Sequence, residues 1–390
     1  MKKRNGMSPV FLFQMAVCIG LVFFTARLSV SQEGGGLSIP ENPLKGSQVF
    51  VEKGCFSCHT VMRVGEVFGP DLTSIGREKN FYGLAGALWS HSPKMLEIMN
   101  EKNIQRPELT SQEAGELISY IYYQGFFDEL GDPRQGEDIY SNKGCIRCHS
   151  LGEGRKKVGP PLDRFGRYIS PVFIASALWN HSSTVSNAMV GQSFAPKEMA
   201  HLLAYIKENA LNPEGETVYM EPGNPRRGQD IFQQKRCHVC HGTRGENLEK
   251  NLLRKNLTEI VGMMWNHSDI MWSEMRERGL SIPHFDNIEM ADLVAFLYFI
   301  PYYGEQGDQI SGKTVFEEKG CISCHSQEAI AKGEGLDLKS VSQNSILDLI
   351  SGMWNHVPEM EKMVTEFGQV WPRFNEKEMK DLIQYIRSLK

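Results

Sequence analysis

Cys55-Phe56-Ser57-Cys58-His59 decides how this sequence is interpreted, because the same pattern occurs four times. The other copies are Cys145-Ile146-Arg147-Cys148-His149, Cys237-His238-Val239-Cys240-His241 and Cys321-Ile322-Ser323-Cys324-His325. A single C-x-x-C pair is also found in zinc sites and in dithiol redox sites. Four copies, each followed directly by a histidine, favour the attachment pattern of c-type haem.

That pattern assigns a role to each of its residues. Two thiols bond to the porphyrin, and the histidine binds the iron as its proximal ligand. The sequence therefore predicts four covalent haem c groups. The predicted attachment residues are Cys55, Cys58, Cys145, Cys148, Cys237, Cys240, Cys321 and Cys324, and the predicted proximal ligands are His59, His149, His241 and His325. No nucleophile–base pair or phosphate-binding loop is present, so no catalytic residue is predicted.

Composition agrees with this interpretation. Of 9 cysteines only Cys18 lies outside the four motifs, which leaves no pair for a structural disulfide. The formal net charge of -5 gives no basis for a nucleic-acid-binding surface. With 390 residues the chain is long enough for several small domains.

The N-terminal segment has the features of an export signal. Basic residues at positions 2–4 precede an apolar run over residues 10–24. The small residues of Ser29-Val30-Ser31 then form a predicted signal-peptidase site, with cleavage after Ser31. Residues 1–31 are predicted to be a signal peptide or an uncleaved membrane anchor, and residues 32–43 a flexible linker. Either alternative places the remaining chain in the periplasm or on the outer face of a bacterial inner membrane.

A longer repeat surrounds each motif. The first cysteines are separated by 90, 92 and 84 residues. Nine residues before each of them stands a glycine, with an aromatic residue four positions after the glycine: Gly46 and Phe50, Gly136 and Tyr140, Gly228 and Phe232, Gly312 and Phe316. An amphipathic stretch with an aromatic residue follows later in each repeat, at residues 117–120, 202–205, 293–296 and 382–385. Capping-box patterns predict the start of three of these helices, at Thr110–Glu113, Asp286–Glu289 and Asn375–Glu378.

These features resemble class I cytochrome c, in which a glycine-containing first helix crosses an aromatic last helix beside the haem. The resemblance covers residues 44–390 and implies an all-α fold of four tandem modules, each around one covalent haem. The predicted bounds are residues 44–130, 131–222, 223–307 and 308–390, which are called modules 1 to 4 below.

The resemblance extends to a segment that follows the proximal histidine. Gly69-Pro70-Asp71-Leu72 and Gly159-Pro160-Pro161-Leu162 match the family's G-P-x-L segment. In the family, the proline carbonyl accepts a hydrogen bond from the other nitrogen of the proximal ring, which is expected here for His59 and His149. Module 3 is shortened at this point, and module 4 has only Gly335-Leu336-Asp337-Leu338, so another carbonyl must serve there.

Two residue types, histidine and methionine, are candidates for the sixth iron ligand. The methionine that the family carries before its last helix is absent from all four modules. A Trp-x-His pattern occupies the middle of each module, beginning at Trp89, Trp179, Trp265 and Trp354. Its histidines recur at one offset and are the favoured ligands: His91, His181, His267 and His356. The alternatives are methionines further along, Met95, Met189, Met271 and Met360. The tryptophan is expected to pack on the porphyrin edge or on the helix crossing. His201, His238 and His284 each occur in one module only and are expected at the surface.

The predicted function is electron transfer by a four-haem cytochrome, with exported or membrane-bound redox proteins as donor and acceptor. The N-terminal segment would allow membrane association, and no nucleic-acid partner is expected. The alternatives are a peroxidase-like or oxyanion-reducing haem enzyme, or a redox subunit or sensor, in which one haem has an open coordination position.

Overall fold

Helices and connecting loops make up the part of the chain that the structure describes. The computed structural model describes residues 38–62, 68–127, 130–151, 157–165, 169–185, 192–210, 223–242, 248–333 and 335–389. No β-strand occurs in those ranges, which confirms the all-α prediction. None of their helices combines the length and apolar character needed to cross a membrane. The predicted export segment lies outside the described residues, as does most of the predicted linker.

Each module begins with a helix before its C-x-x-C-H motif and ends with a helix, and a further helix between them carries the repeated tryptophan. Module 1 contains α1 (Gly46–Glu52), α2 (Leu72–Glu78), α3 (Phe81–Glu101) and α4 (Ser111–Gln124). Module 2 contains α5 (Pro133–Asn142), α6 (Cys145–Cys148), α7 (Pro171–Val185) and α8 (Glu198–Glu208). Module 3 contains α9 (Pro225–Gln234), α10 (His238–His241), α11 (Leu248–Leu252), α12 (Leu257–Glu277) and α13 (Asn287–Phe299). Module 4 contains α14 (Gln309–Glu318), α15 (Ile322–His325), α16 (Gln327–Ala331), α17 (Ile346–Asn355), α18 (Val357–Glu366) and α19 (Glu376–Ser388).

The first and last helices of each module cross at the repeated glycine. A Cβ atom built on that glycine would lie within about 2 Å of a backbone carbonyl oxygen of the last helix. The distances are 2.0 Å from Gly46 to Glu116, 2.1 Å from Gly136 to His201, 1.9 Å from Gly228 to Asp292 and 2.0 Å from Gly312 to Asp381. Only glycine allows this approach, because any other side chain would overlap the facing backbone.

One aromatic pair packs beside each crossing. The aromatic residue four positions after the glycine meets the aromatic residue of the last helix. The ring centroids are 5.9 Å apart for Phe50 and Tyr120, 5.7 Å for Tyr140 and Tyr205, 5.2 Å for Phe232 and Phe296, and 5.4 Å for Phe316 and Tyr385. These separations are typical of favourable aromatic contacts, so each pair helps to hold the crossing in register.

A lysine–glutamate ion pair recurs next to each motif. The lysine lies two residues before the first cysteine, and the glutamate lies in the first turn of the last helix. The pairs are Lys53–Glu113 at 2.9 Å, Lys143–Glu198 at 2.8 Å, Lys235–Glu289 at 2.8 Å and Lys319–Glu378 at 2.9 Å. In module 1, the capping hydrogen bond from the Thr110 backbone and the Lys53 ammonium lower the pKa of Glu113. The ion pair thereby ties the motif to the helix that faces it.

The residue between that lysine and the first cysteine has a left-handed backbone conformation in all four modules. It is glycine in three of them, with φ of 74° at Gly54 and 80° at both Gly144 and Gly320, but arginine in module 3, with φ of 65° at Arg236. A side chain in this conformation costs about 1–2 kcal/mol.

We expect Arg236→Gly to stabilise the protein. Relief of the left-handed strain exceeds the extra chain entropy of glycine, which is about 0.5–1 kcal/mol, so the net gain is about 0.5–1 kcal/mol. Gly54→Ala is the matched reverse change, because a Cβ at Gly54 meets no atom within 4 Å and only the backbone strain changes. The thermal midpoints of the two variants should move in opposite directions, and a fall for Arg236→Gly would contradict this explanation.

Two interfaces between modules, called joins below, pack module 1 against module 4 and module 2 against module 3. Each repeated tryptophan donates its indole N–H to a backbone carbonyl of the other module in its join. The bonds run from Trp89 to Pro372 (2.8 Å), from Trp354 to Pro107 (2.9 Å), from Trp179 to Pro283 (2.7 Å) and from Trp265 to Gln192 (3.0 Å).

The residue after the tryptophan adds a second contact to each join. In modules 2, 3 and 4 it is an asparagine, whose side-chain amide both donates to and accepts from one backbone residue of the other module. The pairs are Asn180 with Phe285, Asn266 with Phe194 and Asn355 with Leu109. In module 1 the position is Ser90, which accepts a single bond from the Phe374 N–H at 3.2 Å.

A third join connects modules 1 and 3 through an aromatic cluster. The Tyr122 hydroxyl donates to the Tyr298 carbonyl at 2.9 Å, and the Tyr298 hydroxyl donates to the Tyr122 carbonyl at 2.7 Å. Both tyrosines are buried, and burial raises the pKa of each hydroxyl well above its usual range. The three joins together give the spatial order 2–3–1–4, which differs from the order along the chain.

Candidate functional site

In module 4 a cavity brings together the predicted attachment residues and the predicted ligands. Its volume is about 500 Å³, and its walls include Cys321, Cys324 and His325 on the motif side. Both candidates for the sixth ligand, His356 and Met360, line the same cavity. A volume of this size lies within the range of about 300–1,000 Å³ that is usual for cofactor sites.

Module 3 contains a corresponding cavity of about 360 Å³. The motif residues Cys237, Cys240 and His241 line it, together with both of its candidate sixth ligands, His267 and Met271. The rest of its wall is mainly apolar. Two thiols and a histidine on one side, with a second possible ligand in the same cavity, match the donor set that a covalently attached haem requires.

In modules 1 and 2 the structure brings together only part of this set of attachment residues and candidate ligands. In module 1, Cys55 and Met95 pack against one apolar cluster. In module 2, His181 lies on α7. The predicted alternative Met189 lies outside the described residues, so the structure does not place it.

Backbone carbonyls fix the rings of three proximal histidines. The Nδ1 atom lies 3.1 Å from the Pro70 oxygen for His59, 2.9 Å from the Pro160 oxygen for His149 and 2.9 Å from the Leu336 oxygen for His325. The carbonyl accepts, so Nδ1 carries the proton and Nε2 keeps the lone pair that binds iron. The contacts expected for His59 and His149 are present. Module 4 does not need a different carbonyl, because Leu336 holds the same backbone position without a proline.

The candidate sixth-ligand histidines show a similar arrangement. Their Nδ1 atoms lie close to the carbonyl oxygen four residues earlier: 3.0 Å for His91 and Ala87, 2.9 Å for His181 and Ala177, and 2.9 Å for His356 and Gly352. Each bond leaves Nε2 available as a ligand atom. A ligating histidine usually makes such a bond from its other nitrogen.

Burial of the thiol raises the pKa of the first cysteine of each motif, which disfavours the thiolate form that dithiol redox chemistry uses. It raises the pKa of Cys55, Cys237 and Cys321 to about 11, and it also raises the pKa of Cys145. Redox-active C-x-x-C pairs need a thiol pKa below the ordinary value. In the described part of the chain, no group of three or more histidine, cysteine or acidic side chains is placed to hold a metal ion. The raised thiol pKa values thus argue against the dithiol interpretation.

The repeated tryptophan borders the cavity of the other module in its join. Trp89 of module 1 lines the cavity of module 4, and Trp179 of module 2 lines that of module 3. Trp354 of module 4 belongs to the apolar cluster against which Cys55 and Met95 of module 1 pack. The expected contacts were the porphyrin edge or the helix crossing, with no module specified. Three of the tryptophans lie at the candidate cavity or motif cluster of a different module.

Two histidines expected at the surface are partly buried. His201 accepts a hydrogen bond at Nδ1 from the Asp132 N–H at 2.8 Å, which ties the last helix of module 2 to the start of its first helix. His238 lies inside the third motif and is also partly buried. The exposed position expected for His284 is observed.

Comparison with known proteins supports a c-type cytochrome. Residues 310–390, which form nearly all of module 4, match the family described as Cytochrome c. A domain of this family implies covalent haem and electron-transfer chemistry. No curated protein and no solved structure matches the chain.

Proposed function

We propose that this protein is a tetrahaem c-type cytochrome that carries electrons between redox partners by outer-sphere transfer. The observation that supports this most strongly is the fourfold recurrence of the arrangement found in module 4, where the family match lies. The same glycine crossing, aromatic pair and lysine–glutamate ion pair accompany each C-x-x-C-H motif.

The proposal assigns the eight motif cysteines to thioether bonds and the four motif histidines to the proximal position. A bound haem supplies one-electron exchange between ferric and ferrous iron. The residues of the chain hold the proximal ring, exclude water from the cavity and set the spacing of the sites.

We propose histidine as the sixth ligand in all four modules. Its repeated position after tryptophan and the Nδ1 bonds of His91, His181 and His356 support this choice. Methionine is the competing ligand, because Met271 and Met360 line the same cavities as His267 and His356. Methionine would raise the reduction potential relative to histidine.

The proposed location is the periplasm or the outer face of a bacterial inner membrane, with the N-terminal segment as signal peptide or anchor. The proposed partners are exported or membrane-bound redox proteins. With every iron six-coordinate, no position is open for a substrate. The protein would therefore not be an enzyme.

Carbon monoxide binding to the fully reduced protein tests this proposal. Six-coordinate haems should show no rapid change in the Soret band at any of the four sites. Rapid binding at one site would instead support the haem-enzyme or sensor alternatives. The near-infrared spectrum of the oxidised protein then separates the ligands, because a sulfur-to-iron charge-transfer band would show methionine and its absence would support histidine.

A further inference from the structure

The joins between modules place a tryptophan of one module against the cavity of another. Trp89 is only 8% exposed, and its ring lines the module 4 cavity together with His325 and the candidate ligand His356. Its nearest aromatic neighbour there is Trp371 of module 4, with ring centroids 4.4 Å apart and the planes inclined by 24°. One wall of this cavity is therefore a stacked pair with one indole from each module.

The position of Trp89 is fixed from both sides of the join. Its indole N–H donates to the Pro372 carbonyl at 2.8 Å, and the Trp371 indole N–H donates to the Trp89 carbonyl at 3.2 Å. One hydrogen bond and a stacked ring hold the Trp89 side chain, and the second hydrogen bond holds its backbone carbonyl. The indole therefore cannot be displaced without opening the cavity wall. Trp89 therefore belongs to the module 4 site, although it lies on α3 of module 1.

The opposite contact in the same join has different chemistry. Trp354 of module 4 lies in the cluster that packs against Cys55 of module 1, and the Arg106 guanidinium lies 3.5 Å from the centre of its ring. Arg106 directly precedes Pro107, as Trp371 directly precedes Pro372. Burial lowers the pKa of Arg106 to about 10, which still leaves it charged at neutral pH. The two sites in this join thus have unlike surroundings.

We infer that Trp89 and Trp354 are each a positioning residue for the haem site of the other module in their join, and that Trp179 has the same role at the module 3 site. The inference rests on the proposed four-haem function. An apolar cover excludes water and disfavours the more highly charged ferric state, which raises the reduction potential. Loss of Trp89 should therefore lower the potential of the module 4 site.

The test needs a label for one haem. Cys321→Ala leaves one vinyl group of the module 4 haem unreacted, which shifts the α-band of that haem to longer wavelength. Spectroelectrochemical titration of the full-length holoprotein then follows the shifted component separately from the other three. Trp89→Leu and Trp179→Leu are compared in this labelled background, with Trp89→Phe as a milder variant that keeps an aromatic ring. Trp179 lines the module 3 cavity, so its loss is the matched change at a different site.

The expected result is a lower midpoint potential of the shifted component in Trp89→Leu, a smaller decrease in Trp89→Phe, and no change in Trp179→Leu. The inference is overturned if the shifted component responds to Trp179→Leu and not to either Trp89 variant. It is also overturned if the component responds to none of the three. Haem content and carbon monoxide binding of the unmodified protein test the proposed function separately, so the two failures can be distinguished.

Discussion

Replacement of Gly228 by alanine should destabilise the protein by about 3 kcal/mol, at the upper end of the usual cost of overpacking. The new Cβ would lie 1.9 Å from the Asp292 carbonyl oxygen, and that oxygen belongs to the backbone of α13. Relief would require the two helices to separate, which would also disturb the aromatic pair of Phe232 and Phe296. The midpoint of denaturant unfolding measures the effect.

Gly262→Ala is the matched control within the same module. Gly262 lies in the interior of α12, and a Cβ there would lie 3.6 Å from the nearest side chain, an ordinary contact. Since alanine is favoured over glycine in a helix by about 1 kcal/mol, this variant should be as stable as the unmodified protein or more so. Equal losses in the two variants would show that the close crossing is not what makes Gly228 necessary.

Replacement of Asn180 by alanine should weaken the join between modules 2 and 3 by about 3 kcal/mol. The Asn180 side chain donates to the Phe285 carbonyl at 2.6 Å and accepts from the Phe285 N–H at 3.1 Å. Phe285 is 1% exposed, so both of its backbone groups would lose their partners in a buried setting, at about 1–3 kcal/mol each. Thermal unfolding of the holoprotein, followed by tryptophan fluorescence and circular dichroism, reports this loss.

Ser90→Ala is the comparison that the chain itself provides. Ser90 occupies the equivalent position in module 1 and accepts only one bond, so its removal should cost about 1 kcal/mol. If Asn180→Ala is no more harmful than Ser90→Ala, the two-bond amide contact does not hold the modules together in the way described.

Local features of the fold could be predicted from sequence because each has its own residue pattern. The predicted capping boxes at Thr110–Glu113, Asp286–Glu289 and Asn375–Glu378 are all present. The glycine-to-aromatic spacing likewise predicted the helix crossing. Such patterns are readable because neighbouring residues along a helix determine them.

Contacts made by the backbone were harder to predict. The Leu336 carbonyl that holds His325 carries no side-chain signature, since any residue at that position presents the same oxygen. For the same reason, the carbonyls that accept from the repeated tryptophans could not be identified. The sequence therefore indicated that the tryptophan is needed but not which module it contacts.

One signal for the order of modules was present in the sequence. The last helices of modules 1 and 3 run into aromatic clusters, at residues 122–127 and 298–303, whereas the last helices of modules 2 and 4 end in charged residues such as Lys207 and Arg387. This alternation marks the two modules that meet in the central join. The alternation is seen only when module 1 is compared with module 3, and module 2 with module 4.

The intact mass of the exported protein, made in a host that matures c-type cytochromes, tests the central claim most directly. The expected mass is that of the processed polypeptide plus four covalently bound haems, with none removed by acidified organic solvent. A mass equal to the bare polypeptide, or to the polypeptide with fewer than four haems, would contradict it.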